Sequence, residues 1–94
     1  MDKFKKALAE YVAVLAKSSI ETKTGGDQAM FQFHLAQAAL MFLAVEKDES
    51  VDKLKQIIGM VKQVYELNPI RGPAGKAAAE AFKTLANFVE AGTP

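Results

Sequence analysis

Apolar residues recur along most of the chain at spacings of three and four, which is the repeat of an amphipathic α-helix. This pattern predicts helices at about residues 2–17, 27–47, 51–67 and 73–91. No segment alternates apolar and polar residues in the manner of a strand. The connections between the last three helices are short, which favours antiparallel neighbours. We therefore expect an all-α fold, a compact antiparallel four-helix bundle, formed by a single domain of residues 1–94.

The breaks between helices follow from turn-forming residues. Residues 18–27 are polar and end in Gly25-Gly26 before Asp27, so we predict a loop with Asp27 as the N-cap of the second helix. Asn68-Pro69 ends the third helix, because the residue before a proline is pushed out of the helical region. Pro73 suits the first turn of the fourth helix.

The second helix differs from the other three because neither of its sides is clearly polar. One apolar stripe runs along it, with Met30, His34 and Met41 at its margin. A second stripe lies on roughly the opposite side. The first stripe consists of Phe31, Leu35, Ala38, Phe42 and Val45, and the second of Phe33, Ala36, Leu40, Leu43 and Ala44.

Every helix of a four-helix bundle is peripheral and is expected to keep one polar face in water. The second stripe breaks this rule, and an exposed apolar patch usually marks an interaction surface. We therefore predict that it packs against another chain, most simply a second copy across a two-fold axis. The predicted interface is Phe33, Ala36, Leu40, Leu43 and Ala44. The alternative is a splayed fold in which the second helix is central and wrapped by the other three.

Composition and charge narrow the function classes. Half of the residues are apolar and 24% are charged, as in a globular protein. The net charge of +1 provides no field that would attract a polyanion, and Arg71 is the sole arginine. Nucleic-acid binding is therefore disfavoured, although Lys3, Lys5 and Lys6 keep open a minor role in a nucleoprotein complex.

Targeting signals and membrane spans are not expected. The chain contains no cysteine, which is compatible with a reducing compartment and excludes thiolate metal sites. The longest uncharged run, residues 28–45, includes three glutamines and a histidine, so it is interpreted as a buried helix rather than a membrane span. We expect a cytoplasmic protein.

His34 is the sole histidine, so the chain cannot form a metal site with two histidines. It could ligate haem iron together with a nearby methionine, but a histidine at the core margin or at an interface is the simpler interpretation. If His34 is half-buried at the interface, association is expected to weaken as it gains charge in acid. We predict no metal site and no cofactor.

One further segment has some chemical character. Arg71, Gly75 and Lys76 surround a predicted helix start, where free backbone N–H groups could hold a phosphate or carboxylate. Turn chemistry alone also accounts for the glycines and the proline. No arrangement of nucleophile, base and acid is recognisable, so no catalytic residue is predicted.

The expected function is therefore non-enzymatic: a small adaptor or inhibitory protein that presents a helical surface to another protein. The first alternative is a carrier or sensor of a small apolar ligand, held by the phenylalanines and methionines of the bundle core. The second is a minor helical subunit of a nucleoprotein complex.

Overall fold

The computed structural model describes residues 2–22, 25–47 and 51–90, and it confirms the all-α four-helix bundle. The helices are α1 (Asp2–Glu21), α2 (Gly25–Glu46), α3 (Val51–Leu67) and α4 (Gly72–Glu90). The predicted end of the fourth helix, residue 91, lies outside the described residues.

The helices form a closed ring in chain order. α1 packs closely along α2 and along α4, and α3 completes the ring by contacting the same two helices. In the described parts of the chain, no close backbone approach joins the diagonal pairs, α1 with α3 and α2 with α4. Short connections make successive helices antiparallel. α2 is therefore a corner of the bundle, and the alternative of a wrapped central helix is not the arrangement observed.

The core of the bundle comes from the apolar face of each helix. Four side chains of α1 recur at helical spacing and are fully buried, namely Phe4, Leu8, Tyr11 and Leu15. The other helices contribute matching buried sets, which are Phe31, Ala38, Met41 and Val45 of α2, Leu54, Ile57, Ile58 and Val61 of α3, and Ala78, Phe82, Leu85 and Val89 of α4.

The predicted loop at residues 18–27 is wrong over most of its length. α1 continues to Glu21, because Ser18 and Ser19 are buried on the same face as the apolar residues before them. The Thr22 backbone N–H donates to the Ser18 carbonyl oxygen at 2.9 Å, and the Gln28 side chain donates to the Ser19 carbonyl oxygen at 3.2 Å. Because serine is polar, the apolar repeat stops before Ser18, and the helix predicted from it was too short.

The second helix also begins earlier than predicted. Gly25 and Gly26 belong to α2, and Asp27 lies in its first turn instead of preceding it as the N-cap. A carboxylate in the first turn still interacts favourably with the helix dipole. The connection between α1 and α2 is consequently very short, which brings the two helices together as neighbours.

Candidate functional site

The outward face of α2 is apolar and lies at the surface. Among the helices that the structure describes, α2 packs against α1 and α3 alone, so its far side meets no other described helix. Leu40 is 47% exposed and Leu43 is 53% exposed, while Ala36 is exposed and Phe33 is half-buried. We call Phe33, Ala36, Leu40 and Leu43 the outer stripe. Four of the five residues predicted for an interface thus lie together on one accessible helix face.

Ala44, the fifth predicted interface residue, is placed differently. It is only 3% exposed and belongs to the core, because it follows the buried Met41 by one helical turn. It therefore contributes to the surface only as part of the lining of a hollow between α2 and α3.

That hollow adjoins the outer stripe. Its volume is about 240 Å³, and its lining combines apolar side chains with two lysines. The residues that line it are Leu40, Leu43 and Ala44 of α2, Lys47 directly after α2, and Lys53 and Ile57 of α3. Since an apolar cavity of about 150 Å³ holds a benzene molecule, the hollow has room for one aromatic side chain.

His34 lies in the core, and the predicted position at an interface is wrong. It is 0% exposed. The reason is its spacing: His34 follows Phe31 by three residues and precedes Ala38 by four, so it continues the buried face of α2. The sequence pattern placed His34 at the margin of the first apolar stripe, whereas the buried face of α2 is wide enough to include it.

His34 belongs to a layer of rings to which each helix contributes one. Its ring stacks on that of Tyr65, with centroids 4.0 Å apart and an interplanar angle of 1°. Phe82 lies 5.2 Å from Tyr65 and 5.8 Å from Tyr11, centroid to centroid. The Tyr11 and Tyr65 hydroxyls are 2.6 Å apart and form a hydrogen bond. We call Tyr11, His34, Tyr65 and Phe82 the aromatic layer.

The imidazole of His34 is chemically unusual because neither Nδ1 nor Nε2 has a hydrogen-bond partner in the part of the chain that the structure describes. The Tyr65 hydroxyl is committed to Tyr11, and the Tyr65 ring offers His34 only its face. Burial lowers the pKa of His34 to about 4, so the ring is neutral at pH 7. Burial also raises the pKa of Tyr65 to about 12 and the pKa of Tyr11 still further. The layer is thus uncharged, and the neutral His34 ring has one unmet donor and one unmet acceptor.

A surface groove between α3 and α4 reaches this layer from outside. Tyr65 and Phe82 line the groove, whose volume is about 340 Å³. Charged side chains lie along its rim, where Lys62 Nζ of α3 and Glu90 Oε1 of α4 are 3.7 Å apart. This groove is the structural feature that best matches the predicted alternative of a small-ligand protein.

Packing explains why glycines occur in the segment that was predicted as a possible anion site, Arg71, Gly75 and Lys76. Arg71 and Lys76 are exposed, whereas Gly75 is buried beneath the chain that enters α4. A Cβ at Gly75 would collide with the carbonyl oxygen of Ile70, and Gly72 has a positive φ of 85°. Both glycines are therefore required by the turn and the close approach of the chain, and a carbonyl oxygen, not a free anion pocket, faces Gly75.

Metal ligands do not cluster in the described residues, where no group of three or more His, Asp or Glu side chains could hold an ion. Among the same residues, α2 is the one helix that is long and apolar enough to cross a membrane, and 28% of its most apolar window is buried. Core helices of soluble proteins, which are mostly buried, and signal sequences meet the same criteria of length and composition.

The aromatic layer was not anticipated from the sequence. Tyr11 and Tyr65 do occupy apolar-face positions on α1 and α3, which signals that both hydroxyls must find a partner in the core. The pairing itself depends on how the helices meet. Comparisons with family models, curated proteins and solved structures found no match.

Proposed function

We propose that this chain is a non-enzymatic interaction protein and that the outer stripe of α2 is its binding surface. The observation that carries this proposal is the exposure of Leu40 and Leu43 on a helix that lies at a corner of the bundle. Full burial of an exposed leucine contributes about 1.5 to 3 kcal/mol, and each of these two half-exposed leucines would gain about half of that from a partner. Adaptor and inhibitory proteins act through surfaces of this kind.

A second copy of the chain is the partner that we favour. The stripe is uncharged from Gln28 to Val45, so two copies can face each other without burying a charge. The small Ala36 lies between the larger Phe33 and Leu40, which allows another helix to approach closely. The simplest assembly of identical chains is a two-fold dimer, in which the same patch is used on both sides.

The experiment that tests this proposal measures mass by light scattering over a range of concentrations. The wild type is compared with Leu40→Glu, and the matched control is Asn87→Glu on α4, the helix diagonal to α2. Since Leu40 is already 47% exposed, the substitution should leave the helical circular dichroism unchanged.

We expect the wild type and Asn87→Glu to dimerise with equal affinity. Leu40→Glu should be a folded monomer, with affinity reduced by about a hundredfold or more, because it places an unpaired carboxylate in an apolar contact. A wild type that remains monomeric at millimolar concentration, or a Leu40→Glu dimer of unchanged affinity, would contradict the self-association proposal.

A second candidate function, binding of a small apolar ligand, is favoured by one observation. The groove between α3 and α4 has the aromatic rings of Tyr65 and Phe82 along it. Native mass spectrometry of the protein purified without denaturant tests this candidate: a bound mass that is removed by Ala79→Trp, at an exposed residue of the groove lining, supports it. A protein that carries no added mass and gains no thermal stability from aromatic probes argues against it.

A further inference from the structure

The outer stripe belongs to a longer repeat on α2. With Ala29 added, its residues fall at 29, 33, 36, 40 and 43, so the spacing alternates between four and three. This is the spacing of the a and d positions of a coiled coil, which keeps one seam of a helix facing a partner helix. Ala29 is exposed like Ala36. The surface of α2 therefore has the repeat that a partner helix requires.

The order of side-chain sizes distinguishes the two orientations that a symmetric helix pair can adopt. In an antiparallel pair, each a position faces a d position, so Leu40 faces the partner's Ala36 and Leu43 faces the partner's Phe33. In a parallel pair each residue faces its own copy, so Leu40 meets Leu40 and Ala36 leaves a gap against Ala36. In the antiparallel pair each Ala36 meets a leucine and no gap is left between two alanines, so close packing favours this orientation.

The hollow between α2 and α3 fits the same register. Leu43, which the antiparallel register places opposite the partner's Phe33, lines this hollow together with Leu40 and Ile57. A volume of about 240 Å³ is sufficient for a phenyl ring, and a second copy supplies that ring from the half-buried Phe33. The two-fold axis repeats the contact, so both hollows are filled.

The length of the seam bounds the strength of the contact. From Ala29 to Leu43 the helix rises about 21 Å at 1.5 Å per residue. A seam of this length covers about four helical turns on a single helix, so the contact is confined to a few side chains. We therefore expect a reversible dimer, with a dissociation constant in the micromolar range, that is sensitive to single substitutions.

We infer that two copies pair through α2 in antiparallel orientation, with Leu40 opposite the partner's Ala36 and Phe33 seated in the partner's hollow. This inference rests on the proposed function, since it specifies the geometry of the same surface. It excludes the parallel pair, and it assigns to Phe33 the role of the main anchoring side chain.

Cysteine pairing tests the orientation directly, because the chain has no native cysteine. Ala36→Cys and Leu40→Cys are made separately, one of them labelled with nitrogen-15, and are mixed and oxidised under mild conditions. Disulfides need Cα atoms within about 7 Å, which the antiparallel register allows between positions 36 and 40 but not between two copies of either position. Asn87→Cys mixed with Leu40→Cys measures the background of random collisions.

The expected result is a labelled–unlabelled disulfide between positions 36 and 40 at several times the background. An excess of 36–36 or 40–40 disulfides would overturn the antiparallel orientation and leave the proposed dimer intact. A dimer detected by light scattering with no disulfide above background would overturn the register. A monomeric wild type would overturn the proposed function and this inference together.

The role of Phe33 has an independent readout. Phe33→Ala should weaken the dimer by about tenfold to thirtyfold, because an aromatic anchor that leaves a fitted pocket is a typical hot spot. Asn87→Ala, at an exposed residue of α4, the helix diagonal to α2, is the matched control and should leave the dissociation constant unchanged. Equal affinities for the two variants would remove Phe33 from the contact.

Discussion

The unpartnered His34 makes the stability of this bundle depend on pH in a defined direction. In the folded protein burial lowers its pKa to about 4, whereas in the unfolded chain it keeps the ordinary value of 6.5. Between these values the unfolded state binds a proton that the folded state excludes. The free energy of unfolding therefore falls as pH decreases from 6.5 to about 4, and above pH 6.5 this group contributes no pH dependence.

The magnitude follows from the pKa difference. A difference of about 2.5 at 1.36 kcal/mol per pH unit gives about 3 kcal/mol lost between pH 6.5 and pH 4. For a domain of this size each kcal/mol lowers Tm by about 4 to 8 °C. The aromatic neighbours add no charge that changes the sign, since both tyrosines of the layer are neutral throughout this range.

The assay compares urea unfolding of wild type and His34→Phe at several pH values from 7.5 to 4. Carboxylates titrate over part of the same range, but they are common to both proteins and cancel in the difference between the two unfolding energies. Phenylalanine keeps the stacking with Tyr65 and removes both unmet ring nitrogens. Relative to the wild type, the free energy of unfolding of His34→Phe should rise by about 3 kcal/mol as pH decreases from 6.5 to 4.

Two results would refute this reasoning. A difference between wild type and His34→Phe that stays constant with pH means that His34 takes up its proton in the folded state as readily as in the unfolded state. A wild type that is more stable than His34→Phe at pH 7.5 by over about 1 kcal/mol means that the imidazole nitrogens have partners, because removing an unsatisfied polar group should be neutral or stabilising.

Two further predictions concern the backbone and the tyrosine pair. Gly75→Ala should destabilise the protein by over about 2 kcal/mol, because the added methyl group meets a carbonyl oxygen of the preceding turn. Gly59→Ala should instead stabilise the protein by about 0.5 to 1 kcal/mol, because this glycine is in the middle of a helix and has open space around it. Thermal unfolding of both variants checks the contrast, and a stabilising Gly75→Ala would show that the turn can move away. Tyr65→Phe should cost about 1 to 3 kcal/mol by leaving the buried Tyr11 hydroxyl unpaired. The double variant with Tyr11→Phe should cost less than the sum of the single variants, and strict additivity in urea unfolding would show that the two hydroxyls do not interact.

The sequence predicts the helices where apolar periodicity is unambiguous. α3 has the predicted bounds, Val51–Leu67, and α4 differs at its start by a single residue. The pattern fails at the end of α1, because the buried Ser18 and Ser19 continue the helix with polar side chains. Their burial depends on the packing of α2 against α1. The periodicity of residues within α1 carries no information about that packing.

The candidate site, like the helix bounds, could be predicted only in part from the sequence. Exposure of Leu40 and Leu43 follows from the pattern of α2 once the helix is at a corner of the bundle, so the outer stripe could be predicted. The boundary of the stripe could not, because the burial of Ala44 depends on the angle at which α3 approaches. The aromatic layer joins one residue from each of four helices, and such contacts between distant segments are fixed only by the assembled fold.

Phe33 connects the outer stripe with the aromatic layer. Its ring lies at the surface of α2, and the same ring meets the His34 imidazole edge-on, with centroids 5.3 Å apart and an interplanar angle of 71°. A partner that covers Phe33 therefore also restricts the side chain that bounds the buried imidazole. Because packed side chains move in discrete steps and cores have few voids, the position of Phe33 and the packing of His34 are not independent. Phe33 thus belongs to the apolar surface of α2 and also packs against the core histidine, so substitutions at Phe33 affect both.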